Sequence, residues 1–183
     1  MFIAGIFRYA GDKEGTSPLK AKVASMADAL RHRSHACFYI EGPGFCFVSN
    51  HEEGPCDNPI VVYSGQFFNM STLKTELSLP DNTPCATVLK AAYKKWGDDF
   101  ITHVSGEFTI ALYDKTLSRL LLTRDRVGLR PLFYSCNSSG ISFSSEVTAL
   151  LGNIEDRKIN YPALHIGIFL HSVYSKEHLI KGI

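Results

Sequence analysis

Gly106-Glu107-Phe108-Thr109-Ile110-Ala111-Leu112-Tyr113-Asp114 leads, after a short turn, into Leu120-Leu121-Leu122-Thr123-Arg124-Asp125-Arg126-Val127-Gly128-Leu129-Arg130-Pro131-Leu132-Phe133-Tyr134. The apolar runs here are short, rich in β-branched and aromatic residues, and separated by residues that favour turns, which is how strands are written. Tyr113-Asp114-Lys115-Thr116 lies between two such runs. Strands over 106–113 and 118–124 should therefore close an antiparallel hairpin. Cys136-Asn137-Ser138-Ser139-Gly140 sets up a second hairpin between runs at 131–136 and 140–144.

The same punctuation recurs toward the amino terminus and predicts strands near 2–8, 36–41, 44–49 and 59–64. Helices come in blocks between them. Ser17-Pro18 offers an N-cap and an N1 proline, and Leu19, Val23, Met26, Ala27 and Leu30 follow at helical spacing, so a helix over 18–31 should lay one face on a sheet. Val88, Leu89, Ala92 and Trp96 mark another helix that Gly97 stops. Shorter ones are predicted over 70–77 and 161–170. Grouped strands and helices without regular alternation indicate an α+β fold and not a doubly wound parallel sheet.

The chain has 183 residues, enough for one domain of generous size, or one domain with a trailing segment. Its 19 basic and 18 acidic residues leave no field to recruit nucleic acid or an anionic membrane. No apolar run reaches the roughly 18 residues of a spanning helix, and the opening strand lacks the charged flank of a signal peptide. The expectation is a cytoplasmic protein. Cys37, Cys46, Cys56, Cys85 and Cys136 are odd in number and irregularly spaced, with no CxxC pair, so reduced and mostly buried thiols are expected in place of disulfides or a metal site. The seven histidines show no metal-ligand pattern, and His32 and His35 read as a solvated helix end. Beyond the charged linker Glu155-Asp156-Arg157-Lys158, the residues Leu164, Ile166, Ile168 and Phe169, and then Leu179, Ile180 and Ile183, are apolar with no domain of their own to join.

The stretch 106–134, followed by Phe143-Ser144-Ser145-Glu146-Val147-Thr148-Ala149-Leu150, resembles the amino-terminal glutaminase domain of the asparagine synthetase family, which writes this region as GxFAFALWD, LLLARDRxGxKPLYY and FASExKAL. Ile3-Ala4-Gly5-Ile6-Phe7 is similar to the family's opening CGIAGIF, Ala29-Leu30-Arg31-His32-Arg33 to its helix end before HRGPD, and Tyr93-Lys94-Lys95-Trp96-Gly97 to its YEEWG. The resemblance covers nearly the whole chain. It implies a type 2 glutamine amidotransferase domain of the Ntn-hydrolase fold, a four-layer αββα sandwich of two antiparallel sheets over residues 1–155. Residues 156–183 would lead into an ATP-dependent synthetase domain of the same polypeptide. ATP and Mg²⁺ would belong to that domain, this chain would carry no cofactor or metal, and the sequence is compatible with a homodimer.

In that family the initiator Met is removed and the exposed Cys attacks the glutamine amide, its own α-amine serving as base. Aligning the two IAGIF segments puts Met1 opposite the Cys and Phe2 opposite the Gly. A thioether has no proton to lose, and a bulky Phe2 normally blocks removal of Met1. The family's oxyanion-holding NGE appears as Ser64-Gly65-Gln66. Gly65 retains its N–H, but Ser64 reaches less far than Asn, and one lost oxyanion donor costs on the order of 10²–10³ in rate. The Asp of SDTE, which pairs with the glutamine α-amine, aligns with Cys85, and the Arg of HRRLSI falls within Val48-Ser49-Asn50-His51-Glu52, which has none. A zwitterion needs partners for both charges.

No catalytic residue is therefore assigned; Met1, Phe2, Ser64, Gly65, Gln66 and Cys85 form a vestigial glutaminase site. Cys85 as a displaced nucleophile lacks an adjacent base, and Arg124-Asp125-Arg126 reads as a structural ion-pair cluster. The leading reading is a catalytically silent, scaffolding domain of an asparagine-synthetase-like amide-forming ligase, as in the β-lactam synthetases and lasso-peptide cyclases. The alternative is a working amidotransferase domain that supplies ammonia for asparagine biosynthesis.

Overall fold

The computed structural model describes residues 1–9, 16–51, 57–154, 157–170 and 178–183. Two antiparallel sheets organise them. In the first, β1 (Ile3–Arg8) is the middle of five strands, flanked on one side by β3 (Phe45–Ser49) and then β2 (Phe38–Gly42), on the other by β8 (Gly140–Ser144) and then β7 (Phe133–Asn137). The second has three strands in the order β4 (Ile60–Phe67), β5 (Gly106–Asp114), β6 (Arg119–Arg124). Both predicted hairpins are present, as β5–β6 and β7–β8.

Alternation along the strands builds the layers, since successive side chains point to opposite faces. Phe2, Ala4 and Ile6 pack against Leu19, Val23, Met26, Ala27 and Leu30 of α1 (Thr16–Ala29), with Ala149 and Leu150 of α5 (Val147–Leu151) alongside. Ile3 and Phe7 face the other way and meet Ile60, Val62 and Ala111 of the second sheet. The far face of that sheet, with Val61, Ile110 and Leu112, packs on Leu73 of α2 (Met70–Glu76) and on Val88, Leu89 and Ala92 of α3 (Cys85–Trp96). The order is helix, sheet, sheet, helix, as the resemblance implies. Gly5 is dictated by the inter-sheet core: the Phe47 and Phe143 rings meet at 5.3 Å, and a Cβ on Gly5 would stand 2.5 Å from Phe47 Cδ1.

Several details differ from expectation. Helix α1 begins at Thr16, so Ser17 is already inside it. Strand β4 continues to Phe67 because β5 pairs with it that far, Phe67 opposite Gly106; Ser64-Gly65-Gln66 is therefore strand. Helix α5 and α4 (Phe100–His103), the latter preceded by a 3-10 turn at Gly97–Asp99, were not foreseen, being too short to show a helical period. The carboxylate of Asp114 accepts from Asn58 Nδ2 (3.2 Å), the Tyr93 hydroxyl (3.1 Å) and the Thr116 amide (2.8 Å), tying the β5–β6 turn to α3.

Only Cys46 of the four described thiols is buried; Cys37 and Cys85 are half-buried and Cys136 is exposed, while Cys56 lies outside the described residues. The expectation of mostly buried thiols is corrected accordingly. Cys136 is the penultimate residue of the edge strand β7 and, two residues on from exposed Tyr134, lies on the same uncovered face. Within the tail, Ile166 and Ile168 of α6 (Tyr161–Leu170) are exposed, but Ile183 packs against the core under α1 and Ile180 bridges Ile159. Among the described residues no helix is long and apolar enough to cross a membrane.

Candidate functional site

The fold delivers residue 1 to the end of the central strand of the larger sheet. Phe2 is fully buried in the core under α1, and its N–H donates to Asn50 Oδ1 at 2.8 Å. The Ile3 N–H donates to Ser145 Oγ at 2.9 Å, and the Ser145 N–H returns a 2.9 Å bond to the Ile3 carbonyl. The strand is thus fixed from both sides, by the residue after β3 and by the residue after β8. Met1, one step further, is partly exposed.

Arg33, in the turn after α1, donates to the Met1 carbonyl at 3.3 Å and pairs with Glu146. His32 joins the same carboxylate at 3.0 Å; His32 and His35 are both exposed, as expected of a solvated helix end, and the pair with Glu146 also links that end to the segment after β8. Burial alone would raise the Glu146 pKa, but the bonds from Arg33 and His32 outweigh it and hold the carboxyl below its ordinary range. Arg130 is paired with Glu107. The Met1 α-amine is held below its usual pKa, first by burial and then by the charges of Arg33 and Arg130. His51 stacks on Tyr63 with ring centroids 5.0 Å apart, and burial followed by the positive amino terminus lowers its pKa as well.

The structure therefore gathers Met1, Arg33, Arg130 and His51, of which the sequence reading had singled out only Met1. Arg33 and Arg130 both stand in the stretches that carry the resemblance, whereas the family's substrate-binding Arg aligns with 48–52. What the sequence does not show is that each guanidinium is already engaged by a glutamate.

Ser64 is buried and shares the face of Ile60 and Val62, toward the first sheet. Gly65 has φ +125°, and a Cβ there would stand 2.0 Å from the Glu107 carbonyl oxygen, so only glycine fits beside β5. Gln66 is exposed. Cys85 is the first residue of α3, in the outer layer over the second sheet, and no hydrogen bond of the described residues joins it to Met1 or Phe2. Asp125 departs from its expected ion-pair role. It is buried, and its carboxylate accepts the N–H groups of Val127 (3.1 Å), Leu129 (3.0 Å), Arg130 (3.2 Å) and Phe108 (3.3 Å). It is a backbone organiser.

A model of the glutamine amidotransferase domain family matches residues 52–183. The chain belongs to that family. The domain is similar to the glutamine-hydrolyzing asparagine synthetase 3 of Bacillus subtilis (strain 168), 32% identical over 101 residues that cover 53% of this chain and 16% of the relative. It is also similar to the glutamine-hydrolyzing asparagine synthetase of Zea mays, 24% identical over 181 residues, 90% of this chain and 30% of that one. These findings agree with the asparagine-synthetase-type resemblance of the amidotransferase domain; its length is a small part of either relative. Among solved structures, the glutamine phosphoribosylpyrophosphate amidotransferase from B. subtilis complexed with ADP and GMP superposes with a TM-score of 0.63 at 12% identity, over 82% of this chain and 43% of that one. That likeness places the amidotransferase domain in the Ntn-hydrolase-like fold.

In this amidotransferase domain the side chain at residue 1 is a thioether, which neither ionises nor attacks a carbonyl. Two of the four described thiols are weakly acidic. Burial pushes the Cys46 thiol up to about 11 and raises Cys37 too, so both stay protonated at neutral pH.

Proposed function

We propose that this domain does not hydrolyse glutamine and serves as a scaffold for the ATP-dependent half of an asparagine-synthetase-like, amide-forming enzyme. The observation that carries the reading is Phe2. The residue opposite the family's Gly is a fully buried member of the core under α1, and it sets Met1 at the nucleophile position. The ion pairs support it. Arg33 and Arg130 are matched by Glu146 and Glu107, so a glutamine carboxylate would have to break a pair to gain one. The synthetase half, on the same polypeptide, would hold ATP and Mg²⁺; among the described residues no group of three or more His, Cys, Asp or Glu side chains is placed to hold a metal.

The test is glutamate release from glutamine, compared with a heat-killed control. Release at the control level is expected, and turnover above it overturns the reading. The printed names of the relatives favour a second reading, a working glutaminase that supplies ammonia. Intact-mass measurement separates the two: a protein starting at Met1 has no amino-terminal cysteine, whereas one starting at a cysteine supports ammonia supply.

A further inference from the structure

The most exposed large apolar side chain among the described residues, Val127 at 81%, shares one short turn with Leu129 at 61%. Single exposed apolar residues are ordinary on a protein surface, but this pair is raised on a backbone that is fastened in place. The Asp125 carboxylate accepts the N–H groups of Val127, Leu129 and Arg130. The Asp125 N–H donates to the Phe108 carbonyl at 2.9 Å, and the Gly128 N–H to the Asp125 carbonyl at 3.1 Å. The turn thus calls for Asp at 125 and for glycine at 128, where φ is +73°. It asks nothing of the side chains at 127 and 129, whose amides bind whatever they carry. Turns favour Gly, Pro, Asn, Asp and Ser, so folding does not account for two aliphatic side chains held out in water.

Two arginines frame the pair. Arg124 and Arg126 are exposed, and among the described residues neither guanidinium makes a hydrogen bond or an ion pair, whereas Arg33, Arg119 and Arg130 are each matched by a carboxylate. Asp125, which stands between them in sequence, has given its oxygens to the backbone. A Cβ on Gly128 would stand 3.0 Å from the Arg124 guanidinium carbon, so that cation lies folded over the turn. Because the chain's net charge is only +1, this is a local arrangement and not a share of a general positive surface.

We propose that the 124–130 turn docks an acidic polypeptide surface, one that seats Val127 and Leu129 in an apolar socket rimmed by carboxylates. Charge complementarity selects the partner. The two unmatched guanidiniums offer forks that fit carboxylates, which steers the encounter and fixes its register, while burial of the aliphatic pair supplies affinity. Single-stranded nucleic acid stacks its bases on aromatic platforms, and neither Val nor Leu is one. Anionic lipid is read by clusters of about four to eight basic residues, and this turn has fewer. The groups set around Met1 are Arg33, Arg130 and His51 and none of these four side chains, so the inference stands apart from the reading of the amino-terminal site.

The experiment is an amide-resolved NMR titration of the 183-residue chain with a short peptide that carries glutamates on either side of a Leu-Val-Leu centre. Two further peptides, one with lysine for each glutamate and one with serine for the apolar centre, are compared at matched ionic strength. Expected are saturable shifts centred on residues 124–130 with the glutamate peptide and none with the lysine peptide. The serine peptide, and the double variant Val127→Ser with Leu129→Ser, should each bind about tenfold or more weakly, the factor for withdrawing an aliphatic side chain from a socket. Arg126→Glu should abolish binding and Arg126→Lys should keep part of it, with the β1, β4 and β5 signals unchanged in every variant as a check on folding. No saturable shifts at millimolar peptide, an equal response to the lysine peptide, unaltered affinity in Arg126→Glu, or tighter binding of a single-stranded oligonucleotide or of anionic vesicles would each overturn the proposal.

Discussion

Asp125 and Met1 both stand at positions that a family pattern marks, and they touch the molecule in different ways. The Asp125 carboxylate gathers four backbone amides from two segments, and no neutral side chain accepts as well. Met1 is held through its peptide carbonyl, by Arg33, and any residue offers that group. Positions whose side chains serve the backbone are constrained by folding itself, whereas a nucleophile is constrained only by the reaction. A domain released from chemistry can therefore lose the second kind and keep the first.

The largest expected effect tests whether the start of β1 now belongs to the core. Phe2→Ala should cost about 3–5 kcal/mol in urea unfolding, as for other buried aromatic truncations. A loss below about 1 kcal/mol would return Phe2 to the site and break the contrast with Asp125. Next, Asp125→Ala should cost about 2–4 kcal/mol by the same measurement, because buried amides lose a charged acceptor. The matching change at exposed Val127, to Ala, should stay within about 0.5 kcal/mol.

A pH series sharpens the comparison. For Asp125, burial pushes the pKa up, but the amides of Leu129, Arg130, Gly128 and Phe108 outweigh it and leave the carboxyl below its ordinary value; Asp114 and Glu146 are lowered too. A depressed carboxyl pKa contributes stability above the unfolded pKa, about 4, and that contribution is lost as pH falls through the folded value. The urea midpoint should drop below about pH 4, and Asp125→Asn should flatten the drop. A midpoint that is flat in the wild type would contradict the amide cage.

Glu146→Gln should have a smaller effect, at most about 1 kcal/mol, since the ion pair is partly solvated. It also leaves Arg33 uncompensated beside Met1, so the α-amine should become still less basic and react faster with an amine-directed reagent near neutral pH; an unchanged rate would remove Arg33 from the amine's surroundings. Smallest is the order of thiol modification. Exposed Cys136 should react first and Cys46 last, and early labelling of Cys46 would reopen the search for a displaced nucleophile.

All eight strands could be read from the sequence to within a few residues, because alternation and turn residues are local signals. The layer order came through the resemblance, carried by 106–150. The composition of the site was less accessible. Arg33 reaches Met1 only because α1 lies across β1, and Glu146 meets Arg33 across 113 residues of chain. Such a pair has no spacing that a sequence pattern can show. Asp125 was misread for a similar reason: flanking arginines suggest ion pairs, while the four amides it binds are invisible without the backbone path.

The buried phenyl ring at residue 2 has a historical consequence. Putting Gly back would open a hole in the core and add backbone freedom to the unfolded chain, before any cysteine could return a catalytic benefit. On the reading proposed above, each single step toward a Cys-Gly start would pass through a less stable protein with no activity to select for. Under that proposal the loss works as a ratchet, and recovery would require several simultaneous changes.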